Sequence, residues 1–134
     1  MEMKGSRTEE VLRKAFSQEV QTAARYTYFA SVAREAGLEQ IAEAFEATAQ
    51  NEAEHARHEF EFLGGAGDIV ENLEQAVAAE HAEASQFYRE AAETAQAEGF
   101  TGIADFFTRM RTVEANHEKH FQEMIDGLEK GTVF

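Results

Sequence analysis

The feature that most limits what this chain can fold into is an internal repeat. EAGLEQIAEAFEATAQNEAEHARH is followed at an offset of 62 residues by AEGFTGIADFFTRMRTVEANHEKH, so that Gly37, Ile41, Ala42, Phe45, Glu52, Ala53, His55 and His58 recur as Gly99, Ile103, Ala104, Phe107, Glu114, Ala115, His117 and His120. The chain lacks proline, and its Ala, Glu, Gln and Leu content favours helices punctuated by glycine. Ser6 with Glu9 has the spacing of a capping box and predicts a first helix that stops at Gly37; a second runs from about Leu38 to Gly64 and Gly65. Asp68 with Glu71 opens a third that ends at Gly99, and a fourth runs from near Thr101 to Gly131. The expected fold is all-α: two helical hairpins, about 6–64 and 68–131, closing one four-helix bundle in a single domain, 1–134.

Composition narrows the chemistry. With no cysteine, disulfide scaffolds, iron–sulfur clusters and thiolate zinc sites are excluded, so a metal has to be held by histidine and carboxylate. Twenty-six acidic residues against 12 Lys+Arg give a net charge of −14, which repels phosphate backbones and anionic membranes, so neither nucleic acid nor membrane is an expected partner. The first twenty residues carry scattered charges without an apolar run, and no stretch reaches the roughly 18 apolar residues of a membrane span, so a cytoplasmic protein is expected.

Stepping by three or four residues along each helix gives its inward face. The first reads Leu12, Phe16, Glu19, Ala23, Tyr26, Ala30, Ala33, and the second Leu38, Ile41, Phe45, Thr48, Glu52, His55, Glu59, Phe62. The third reads Leu73, Val77, Glu80, Ala84, Phe87, Ala91, with Glu83 at its edge one turn beyond Glu80; the fourth reads Ile103, Phe107, Met110, Glu114, His117, Phe121, Met124, Leu128. Every stripe is interrupted by acid near its middle.

An ionised carboxylate buried without a partner is penalised by several kcal/mol or takes up a proton. Glu19, Glu52, Glu80, Glu83 and Glu114 at one level of a bundle repel one another, and no Lys or Arg falls on the stripes. Two divalent cations supply about +4 against −5 and accept the imidazole lone pairs. One Glu from each of two helices, with a Glu-x-x-His from each of the other two, is the ligand pattern of carboxylate-bridged di-iron bundles; here these are Glu19, Glu80, Glu52 with His55, and Glu114 with His117. His58, His81 and His120 are expected to be solvated, and Glu59 is left outside the site.

The segments ARYTYFASVAREAGLEQIA, NEAEH and GLEKGTVF resemble the rubrerythrin family of the ferritin-like superfamily, and the similarity covers essentially the whole chain. The resemblance implies two non-haem irons, oxo- or hydroxo-bridged when oxidised. Their ligands fall on Glu19, Glu52, His55, Glu80, Glu83, Glu114 and His117, with Glu52 and Glu114 at the bridging positions. It further implies that one iron binds His55 when reduced and Glu83 when oxidised, and that Tyr26 and Tyr88 hydrogen-bond around the pair. Charge counting makes the exchange reasonable, since replacing a neutral imidazole by a carboxylate adds −1 where oxidation adds positive charge. Rubrerythrins continue into a cysteine-ligated rubredoxin domain, and this cysteine-free sequence is expected to be a short form or the di-iron domain alone, served by an external, rubredoxin-like electron donor.

The link between hairpins, GGAGD with its flanks, is about six residues. In a ferritin-like bundle the second and third helices run parallel, and the return climb is roughly 30 Å at 1.5 Å per residue. Six extended residues span only about 20 Å. A domain-swapped homodimer is therefore expected. The function implied is peroxidase: hydrogen peroxide reduced to water in oxidative-stress defence. An oxygen-reactive oxidase or ferroxidase uses the same ligands, and a non-catalytic metal-binding helical protein is a reading from another class.

Overall fold

The structure is a computed structural model describing residues 1–132 and 134; Val133, within the terminal GTVF segment, lies outside the described residues. The described residues form helices and turns without a strand. The chain divides into two compact units, Met1–Ala66 and Gly67–Phe134. The first is a hairpin of α1 (Arg7–Glu35) and α2 (Glu39–Phe62). In the second, α3 (Ile69–Ala82), a π-helical turn (Glu83–Phe87) and α4 (Tyr88–Ala97) form one interrupted rod that packs against α5 (Thr101–Glu129).

The turns of the two hairpins are built alike. Gly37 and Gly99, repeat mates, adopt φ of +76° and +86°, a left-handed backbone that side chains rarely tolerate. At the first, Gly37 N–H donates to Arg34 C=O and Leu38 N–H to Ala33 C=O, both at 2.9 Å. At the second, Gly99 N–H donates to Gln96 C=O at 3.1 Å and Phe100 N–H to Ala95 C=O at 2.8 Å. These bonds satisfy carbonyls that a helix end otherwise leaves unpaired.

The helix starts differ. Asp68 makes a full capping box: its Oδ1 accepts from Glu71 N–H and Glu71 Oε2 accepts from Asp68 N–H, each at 2.9 Å. At α1 the box is only half formed. Ser6 Oγ accepts from Glu9 N–H at 3.1 Å, but the Glu9 carboxylate reaches Gly5 N–H at 2.7 Å and is also held by Arg13, so it passes over the Ser6 amide.

The buried core is alanine with Ile125, and the large members of the predicted stripes stay partly or wholly exposed. Ala30, Ala33 and Ala42 cluster in the first unit with Phe45 packed against them, and Ala84, Ala95 and Ala104 are buried in the second. Small side chains let paired helices approach closely, and a two-helix contact hides only the line along which the helices touch. Ile41, Phe62 and Ile103, predicted to lie inward, are about half exposed or more. Phe87 is a further correction: it is 59% exposed, while Tyr88, one position on, takes the half-buried place. The π-turn causes this, because the residue it adds rotates everything after it around the helix axis. Among the described residues no helix is long and apolar enough to cross a membrane.

Candidate metal centre

Each hairpin gathers one group of metal-ligating side chains at mid-helix. Glu19 of α1 meets Glu52 and His55 of α2, and Glu80 of α3 meets Glu114 and His117 of α5; within each group one ligand atom per residue lies within 4.8 Å of the others. The geometry repeats with the sequence. His55 Nδ1 is 3.4 Å from Glu19 Oε2 and 3.6 Å from Glu52 Oε2, and His117 Nδ1 is 3.4 Å from Glu80 Oε2 and 3.1 Å from Glu114 Oε2. The i, i+3 spacing within α2 and α5 puts carboxylate and imidazole on one face, and the antiparallel partner brings up the remaining glutamate.

The electrostatics are those of acids held too close. Glu19 titrates above the ordinary carboxylate range, first because it sits against Glu52 and then because of burial, with Glu59 adding to the effect. Glu80 is raised in the same way by Glu114 and by burial, and Glu114, left as the anion of the pair, is lowered. His117 is raised by Glu114 and Glu80. Oε2 of Glu19 and of Glu80 are shut away from solvent without a hydrogen-bond partner. Such an orphaned oxygen costs about 1–3 kcal/mol, more if charged.

Among the described residues no Lys or Arg pairs with the carboxylates of either group. Arg34 pairs with Glu39 and Glu46, Arg57 with Glu54 and Glu61, and Arg13 with Glu9. Two carboxylates, one with an orphaned oxygen, and an imidazole in each group are a donor set that suits a hard divalent cation. The residues present therefore fit a metal pair.

Glu83 stands apart from both groups. It is half-buried at the start of the π-turn, and its charge acts on Tyr88, whose phenol is held above its usual pKa by burial and by Glu83, Glu114 and Glu80. Tyr26 and Tyr88 occupy matching places against the repeat-related rings Phe45 and Phe107, with centroids 5.6 and 5.8 Å apart. His58, His81 and His120 are exposed; His81 Nδ1 lies 3.0 Å from Glu118 on α5.

Two features escaped sequence reasoning. Glu59 Oε2 is as orphaned as those of Glu19 and Glu80, and its carboxylate lies close enough to raise Glu19. The π-turn left a legible trace: Glu19 and Glu80 are 61 residues apart, whereas Tyr26 and Tyr88 are 62 apart. One residue has been inserted between them, and the turn absorbs it.

Residues 10–69 and 71–133 match the sequence profile of the family described as Rubrerythrin. The chain belongs to the rubrerythrin family. Rubrerythrin from Porphyromonas gingivalis (strain ATCC BAA-308 / W83) is 43% identical, over 98% of this chain and 72% of the relative. Rubrerythrin from Nitratidesulfovibrio vulgaris (Hildenborough) is 37% identical over 98% of this chain and 76% of its own length. A solved structure of nigerythrin in a mixed-valence state aligns over 96% of this chain and 70% of its own at 30% identity, with a TM-score of 0.47. Rubrerythrins are ferritin-like helical proteins that carry a di-iron centre, and the two Glu/His groups are what this chain offers such a centre.

Proposed function

We propose that this member of the rubrerythrin family is a non-haem di-iron peroxidase, reducing hydrogen peroxide to water in the cytoplasm with electrons from an external, rubredoxin-like donor. The observation that carries the reading is the pair of matched carboxylate–imidazole groups, with the further carboxylate Glu83 on the π-turn of the second hairpin. Glu19, Glu52, His55, Glu80, Glu83, Glu114 and His117 are the residues that would hold the irons. A bound iron pair supplies two electrons, the number that reduction of peroxide to two waters takes.

The chain's own part is to assemble the donors and manage protons, two of which the reaction consumes. Tyr88, kept in its phenol form by burial and by the three glutamates, presents Oη–H as a donor toward that side. Glu83 is the carboxylate free to change partners, since neither of the two groups includes it.

The assembly proposed is a homodimer with exchanged hairpins. Only six residues separate α2 from α3, too few to climb back along a bundle of this height, and each unit leaves large apolar side chains such as Tyr28, Phe62 and Phe106 in need of cover. Size-exclusion chromatography with light scattering is expected to give twice the chain mass; a compact monomer would overturn the exchange. For the chemistry, the protein loaded anaerobically with two ferrous ions per chain is mixed rapidly with stoichiometric peroxide or dissolved oxygen. Oxidation much faster with peroxide is expected. Faster oxidation by oxygen would replace the reading with an oxidase or ferroxidase.

A further inference from the structure

A π-turn packs one residue more into the helix than the regular main-chain ladder can pair, so it leaves a carbonyl short of a main-chain donor and needs an outside partner to stay where it is. Here Tyr88 N–H donates to Glu83 C=O, five residues back. The next carbonyl along, that of the buried residue Ala84, accepts from Arg111 Nε of α5 at 3.1 Å, across 27 positions of sequence.

Two observations mark this contact as specific to the turn. The repeat mate of Arg111 is Ala49, which is 7% exposed and packs in the hairpin whose α1 is an unbroken α-helix. The arginine is found in the hairpin that has the turn and not in the one that lacks it. In a chain with 26 acidic residues, moreover, the half-buried Arg111 makes no ion pair among the described residues; its Nε is spent on a backbone oxygen.

We propose that Arg111 is a positioning residue that pins the π-turn at Glu83–Phe87, and thereby keeps Glu83 and Tyr88 turned toward the side that carries Glu80. Without it the additional residue is free to migrate along the helix, carrying Phe87 inward and Tyr88 outward. The pinning is a property of the metal-free chain; its consequence for peroxide rests on the function proposed above.

The test uses Arg111→Met, which keeps the side chain's bulk without a donor, and Arg111→Lys, which restores one. Amide hydrogen exchange on the metal-free protein is expected to run about three- to tenfold faster at residues 83–89 in Arg111→Met, as loss of one hydrogen bond allows. The rest of the second hairpin should be unaffected, with partial recovery in Arg111→Lys. Unchanged protection at the turn, or a loss spread evenly over both hairpins, would overturn the proposal.

On the iron-loaded protein, Arg111→Met is expected to slow peroxide oxidation toward the rate of Glu83→Ala, and the double variant to be no slower than Glu83→Ala alone. Fully additive losses would show that Arg111 does not act through Glu83. If exchange changes as expected while the wild type reacts faster with oxygen than with peroxide, the pinning stands and the peroxidase reading falls.

Discussion

Glu80→Gln tests whether these acids are held together for a cation. Glu80 and Glu114 present oxygens within 4.8 Å of one another, on side chains 20% and 13% exposed. At that spacing two unit charges repel by roughly 3.5 kcal/mol at an effective dielectric of 20 and roughly 0.9 kcal/mol in bulk water, and a site partly open to solvent falls between, at about 1–2 kcal/mol. Because the folded-state pKa of Glu80 is raised, the stability tied to its proton is fully present below the unfolded carboxylate pKa and is lost as pH rises through the folded one. His117, also raised, loses its bridging charge in the same direction. The metal-free wild type is therefore less stable at pH 8 than its contacts suggest, and a neutral isostere at position 80 relieves it. Thermal unfolding followed by circular dichroism in chelator at pH 8 should place Glu80→Gln above wild type by roughly 3–10 °C. The advantage should shrink as the solution is acidified, since the raised pKa lets wild-type Glu80 take up its proton sooner than an ordinary carboxylate. With saturating ferrous or manganous ion the order should reverse, because a cation at a hundredfold over its Kd adds about 2.7 kcal/mol to a chain that binds it. A metal-free variant less stable than wild type at pH 8, or an advantage that survives acidification, would show that Glu80 and Glu114 do not destabilise the metal-free chain by repulsion.

Glu83→Ala should leave ferrous stoichiometry near that of wild type while slowing peroxide oxidation by about tenfold or more in rapid mixing; an unchanged rate removes Glu83 from the mechanism. Glu52→Ala and Glu114→Ala each remove a donor from a group and should lower bound iron, measured by a colorimetric assay after desalting; full occupancy would exclude them as ligands. Asp68→Ala deletes the accepting half of a complete capping box and should destabilise the chain by about 1 kcal/mol, read as a lower urea midpoint.

Helix ends were legible because each rests on local chemistry: a glycine able to take positive φ at Gly37 and Gly99, and a side chain able to cap at Asp68. The Ser6 box failed for an equally local reason, since Gly5 and Arg13 compete for the carboxylate of Glu9 and three-residue spacing does not reveal competitors. The two carboxylate–imidazole groups, as groupings of side chains, were legible because a charged residue on an apolar stripe stands out at any register. Ala30, Ala33 and Ala84 stood on the inward stripes and are buried, whereas Ala42, Ala95 and Ala104 are buried off them, since helical periodicity says which face turns inward but not how far across it the partner reaches. The π-turn was hidden for a sharper reason. The third stripe was stepped at regular α-helical spacing, and a one-residue insertion leaves the helix amphipathic on either side while shifting the phase between its two parts, so Phe87 was given the place that Tyr88 holds.

That phase shift also explains why the two sides of so regular a repeat are chemically unequal. Counted from the glutamate that opens each group, Glu83 follows Glu80 by three residues, and the residue three beyond Glu19 is Thr22, half-buried on an uninterrupted α1. Each hairpin brings two carboxylates and one imidazole, and each has a further carboxylate near them, Glu59 in the first and Glu83 in the second, but only Glu83 stands on a π-turn, which permits the local backbone freedom a mobile ligand needs. If position alone were decisive, Thr22→Glu would supply the missing acid and should rescue peroxide oxidation in a Glu83→Ala background. If the turn is decisive, the new glutamate stands fixed at i, i+3 from Glu19 and adds only repulsion, about 0.2–0.5 kcal/mol for like charges at helical spacing. The second outcome is expected: no recovery of rate in rapid mixing, and a metal-free melting temperature at pH 8 slightly below that of Glu83→Ala. Recovery of the peroxide rate would show that the inserted residue merely makes room for Glu83 and that its backbone conformation has no further part in the chemistry.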